Sequence, residues 1–75
     1  MQTNNTNKAA WEIRLDLERA FHFSMAGTRE EFDAAKKALQ DFIREEDAKA
    51  GIQYDHAADY DLLDYAACHE AACNR

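Results

Sequence analysis

Gly27-Thr28-Arg29-Glu30-Glu31-Phe32-Asp33-Ala34-Ala35-Lys36-Lys37-Ala38-Leu39-Gln40-Asp41-Phe42-Ile43 is the stretch that decides the fold. Thr28 followed by Glu31 is a capping box. The threonine hydroxyl accepts from the Glu31 backbone N–H, and the glutamate reaches back to the threonine N–H. Phe32, Ala35, Leu39, Phe42 and Ile43 then recur at helical spacing and make one apolar stripe. Gly51 fits the left-handed position just past a helix end. The sequence therefore predicts a helix over 29–49.

Working outward, the segment before Gly27 carries a stripe of Ala10, Ile13, Leu17, Ala20, Phe21 and Ser24. It reads as a first helix over 8–25, capped by Thr6 or Asn7. Trp11 to Leu17 also alternates strictly, as a strand would. Ala, Glu, Leu and Arg dominate the segment, however, and no second strand exists to pair with, so helix is the expectation. Beyond Gly51, a turn at 52–55 leads to a third helix over 57–72 with Asp55 as its cap. Its inward face would be Ala58, Leu62, Tyr65, Ala66, His69 and Ala72. With no proline and only two glycines in 75 residues, the expected architecture is an all-α, small three-helix bundle. Residues 1–7, polar and rich in Asn and Thr, are expected to be a disordered lead into a single helical domain over 8–75.

The core available to such a bundle is small. Fifteen of the apolar residues are alanines, which favour helix but bury little area. A domain of this size buries only about 60% of its unfolded surface, and its core supplies roughly 3–5 kcal/mol. A partner or second copy would help it. The first helix offers the means, because a second stripe of Trp11, Leu15, His22 and Met25 runs about a third of a turn from the first. Phe23 lies on neither stripe. Either this helix sits between the other two and uses its whole girth internally, or the second stripe faces outward. The expectation carried forward is self-association, as a homodimer, through Trp11, Leu15, His22 and Met25.

Charge is the other surplus. The net charge is −6, and it is concentrated toward the end of the chain. Asp55, Asp59, Asp61, Asp64 and Glu70 stand against only Arg75, with Tyr54, Tyr60 and Tyr65 interleaved. Glu45, Glu46 and Asp47 add an acidic run where the second helix ends, opposing its macrodipole. On a continuous third helix Asp61 and Asp64 would be one turn apart and point the same way. An ordinary solvated surface is the plain reading. The functional one is an acidic-aromatic patch of Tyr60, Asp61, Asp64, Glu45 and Glu46 that meets a basic partner.

The chain shows no enzyme's chemistry. There is no glycine-rich phosphate loop and no nucleophile elbow, and His22 and His56 stand alone. His69-Glu70-Ala71-Ala72-Cys73 resembles a zinc-protease pentad with Cys in place of the last His, but no third ligand is evident. Neither a metal nor another cofactor is expected. Cys68 and Cys73 would lie ~7.5 Å apart along a helix axis, beyond the ~7 Å a disulfide spans. Helix-turn-helix DNA binding is excluded, because the helices lack the basic face that phosphates require. No apolar leader follows the polar start, and no apolar run reaches membrane-spanning length. The expectation is a cytoplasmic protein that contacts neither membrane nor nucleic acid directly. Two functions remain. One is a regulator or adaptor that binds another protein. The alternative is an acidic, nucleic-acid-mimicking inhibitor, of the anti-defence kind found in phages and mobile elements, that blocks a basic groove in a nucleic-acid-binding target.

Overall fold

The computed structural model describes residues 8–74, and within them every regular element is helical. The elements are α1 (Ala10–Ser24), α2 (Arg29–Ala50), a 3-10 helix (His56–Leu62) and α3 (Tyr65–Cys73). The Trp11–Leu17 alternation is thus helix. The disorder expected for 1–7 and the Thr6 or Asn7 cap fall outside the described residues. Ala9 occupies the N-cap position of α1 instead. Having no side-chain acceptor, it caps through its backbone alone: its N–H donates to Glu12 Oε1 at 3.0 Å, and its carbonyl accepts from Glu12 N and Ile13 N.

The start of α2 forms as its sequence dictates. Glu31 N donates to Thr28 Oγ1 at 3.1 Å, and Thr28 N donates to Glu31 Oε1 at 2.9 Å. Its end is closed by Gly51 at φ 74°, where a side chain would be strained.

The third helix expected over 57–72 is divided. Leu63, at φ −83° and ψ 123°, and Asp64, at φ −94° and ψ 125°, are extended. The 3-10 helix therefore stops and α3 starts afresh, with Asp64 Oδ2 accepting from Ala67 N at 3.2 Å. The break follows from Asp64, since an aspartate bonds its own following backbone more readily than it continues a helix. Leu62, expected inside, is 83% exposed. Ala57, not Ala58, is the fully buried alanine of this segment. The simple up-down-up bundle is replaced by two long helices and a bent third arm.

The core consists of Phe21, Phe32, Leu39, Ile43 and Ala57, with Leu17, Met25, Ala35, Tyr60, Tyr65 and Cys68 packed around it. Its centre is aromatic. The Phe21 and Phe32 rings lie 5.1 Å apart, Tyr60 meets Phe21 edge-on at 5.7 Å, and Tyr65 meets Phe32 edge-on at 5.3 Å. Such offset and edge contacts add about 0.5–1.5 kcal/mol each beyond area burial.

Phe32→Ala removes a side chain worth ~3–5 kcal/mol, comparable to the whole core of a domain this small. That variant is expected to be unfolded at room temperature by far-UV circular dichroism. Ile43→Val, costing ~0.5–1.5 kcal/mol, should remain folded with a lowered melting temperature.

Candidate interaction surface

Helical geometry decides which side of α1 is left over. Residues 21 and 23 lie ~200° apart around an axis with 3.6 residues per turn. Packing Phe21 at 2% exposure therefore turns Phe23 outward, at 81%. Trp11 is 68% exposed. His22 is exposed beside Phe23, whereas Leu15 is half-buried. Met25, expected on the outer stripe, turns inward and packs against the core. The outer side of α1 thus unites Trp11 and His22 with Phe23, which the spacing had assigned to no face.

Phe23 forms one wall of two shallow grooves. One, of about 500 Å³, is lined by Arg19, His22, Phe23, Ala26 and Ala72. The other, of about 340 Å³, lies toward α2 between Ala20, Ser24, Glu31 and Ala35. Ala72 reaches the first groove because the turn after α1 holds α3. The carbonyls past a helix end need donors, and α3 supplies them. Tyr65 donates its hydroxyl to Gly27 O at 2.6 Å, and His69 Nδ1 lies 2.9 Å from Met25 O. A carbonyl only accepts, so His69 carries its proton on Nδ1. Its Nε2 then faces Cys73 Sγ at 3.7 Å. Cys68 and Cys73 are both free thiols. Among the described residues no group of three or more His, Cys, Asp or Glu side chains is placed to hold a metal ion.

The acidic residues are arranged differently from the expected ridge. Asp61 sits in the 3-10 helix, and Asp64 caps α3 across the break, so the two do not share a helical stripe. Nor is Asp61 without basic neighbours. Its Oδ1 accepts from Gln40 Nε2 at 2.8 Å and lies 3.7 Å from Lys36 Nζ. Tyr60 packs inward against Phe21. Glu46 pairs with Lys49 at 3.3 Å and Asp55 with Arg44 at 3.4 Å, while Glu45 points outward on α2. Among the described residues Arg19 is the one Lys or Arg without an ion-pair partner.

Gln40 was not singled out by the sequence. It is 6% exposed, and its amide also donates to Ala57 O at 2.9 Å. A glutamine next to Leu39 and Asp41 carries no spacing signal that would mark it as a buried staple.

No family model matches the chain, no curated protein matches it, and no solved structure matches it. No helix among the described residues is long and apolar enough to cross a membrane.

Three outcomes follow from the side-chain contacts. Gln40→Leu strips the buried Ala57 carbonyl of its donor and should cost ~1–3 kcal/mol by denaturant unfolding. Asp61→Asn, which keeps an acceptor for Gln40 and loses only an exposed ion pair, should cost at most about 1 kcal/mol. Tyr54 donates its hydroxyl to Asp59 Oδ1 at 2.9 Å, and this bond raises its pKa above the ordinary tyrosine value. Its contribution to stability is full below the unfolded tyrosine pKa and is lost as pH rises through the higher folded one. Ultraviolet or NMR titration of Tyr54 should show it ionising above the ordinary tyrosine range, and Asp59→Asn should return it there.

Proposed function

We propose that the protein is a binding module, a regulator or adaptor that acts by protein–protein contact and not by catalysis. In this reading the α1–α2 pair and the bent third arm serve together as a small bundle that presents the outer side of α1. Homodimerisation is one use of that side. A single observation carries the proposal. Phe23 and Trp11 stay exposed on one helix although the core is already closed by Phe21, Phe32, Leu39 and Ile43. Exposed aromatic rings beside polar groups are the usual anchors of protein interfaces, and α1 offers two, one near each end.

The alternative, an acidic inhibitor that fills a basic groove, draws less support. Its central carboxylate, Asp61, is engaged by Gln40 and Lys36, and Tyr60 is turned toward Phe21. Charges cancelled nearby export little field beyond about 8 Å at physiological salt.

Affinity capture from the native host separates the two readings. Binding through α1 should persist at high salt and fall at least about thirtyfold in Phe23→Glu or Trp11→Glu, the loss of one hot spot of ~2 kcal/mol. Capture that disappears at high salt, ignores both substitutions and requires Asp61, Asp64, Glu45 and Glu46 would make the acidic surface the working one.

A further inference from the structure

The outer side of α1 holds both a projection and a recess. Trp11 is the projection, near the start of the helix. The groove of Arg19, His22, Phe23, Ala26 and Ala72 is the recess, at its end. From Trp11 to the middle of the groove is eleven or twelve residues, about 17–18 Å along the axis. Within one molecule the two therefore cannot meet. We infer that the occupant of the groove is Trp11 of a second copy of this chain, delivered by antiparallel pairing of the two α1 helices about a two-fold axis. The inference rests on the reading of α1 as the docking side and names what docks there.

Three features of the surface favour this occupant. The first is symmetry. In a two-fold pair the same patch serves both copies. With Trp11 level with the partner's His22, the partner's Trp11 is level with His22, so both recesses fill at once. The second is charge. Arg19, alone among the described cations in lacking an ion-pair partner, lines the groove. A guanidinium is drawn to the face of an indole, the best of the aromatic partners. Glu12 follows Trp11 in sequence and arrives with it beside Arg19 and His22. Elsewhere the molecule offers mostly carboxylates, which would repel a second copy. The third is area. Trp and Phe rings bury ~150–250 Å² each, and Trp11 and Phe23 are 68% and 81% exposed, so two of each remove about 450–750 Å². The groove walls and Arg19 stems that they cover add to this, toward the ~1,000 Å² of a specific interface.

Trp11 is the one tryptophan in the chain, so its fluorescence reports this contact directly. The full chain is followed from low to high micromolar concentration by emission wavelength and by sedimentation velocity. The mass should double as the emission moves to shorter wavelength, the two changes sharing one midpoint. Ala26→Glu, an exposed position in the groove far from Trp11 along the helix, should weaken both changes at least about tenfold, or 1.4 kcal/mol, with an unaltered circular dichroism spectrum. A monomer with constant emission at every concentration overturns the proposal, as does a dimer whose emission does not move. A constant monomer that still captures a different protein through Phe23 overturns the second copy as occupant and leaves the reading of α1 standing.

Discussion

Phe32 is the side chain on which the rest of the structure depends. Its ring is 1% exposed and meets Phe21 of α1 on one side and Tyr65 of α3 on the other. The Lys36 ammonium lies 5.8 Å from its centroid. All three α-helices are thus tied at one ring, placed at the first turn of α2 by the Thr28 capping box. Both hydrogen bonds from α3 to the preceding turn, at Gly27 and Met25, are made close beside it. A chain with so few large apolar residues has one site at which its elements can converge, and this is it.

The outward face of α1 is a consequence of that convergence. Once Phe21 is committed to Phe32, Phe23 has no interior to enter, because the helix turns it to the opposite side. An ordinary small domain would place a polar residue there. Phe23 and Trp11 occupy the exposed side instead, and Arg19, beside Phe23, makes no salt bridge among the described residues. Most of the other cations do the opposite and cancel nearby acids, Arg44 with Asp55 and Lys36 with Asp61 among them. On the proposed reading the net charge therefore carries less weight than the apolar side of one helix.

Much of the fold was legible in the sequence. Local hydrogen-bonding chemistry wrote α2 plainly, through Thr28, Glu31 and Gly51. The apolar stripe of α2 likewise gave Phe32, Leu39 and Ile43 as core. The third arm was not legible, because helical spacing through Tyr60–Tyr65 looks the same whether or not Asp64 caps a new helix. Gln40, distant in sequence, donates to Ala57 and Asp61 of that arm, a contact that helical spacing does not reveal. The outer surface was legible in part. Trp11 and His22 stood out by spacing, and Met25 did as well, although the core needed it. Phe23 belonged to no stripe, and that was itself the signal: a large ring without a place on the inward face is on the outside.

The central claim is that recognition resides on the outer side of α1 and not on the acidic residues. Backbone and indole amide NMR spectra over a dilution series test it residue by residue. The account predicts concentration-dependent shifts at the Trp11 indole, Arg19, His22, Phe23 and Ala72, with Glu45, Asp61 and Asp64 unmoved. Shifts confined to Glu45, Glu46, Asp61 and Asp64, with the α1 resonances constant, would contradict it.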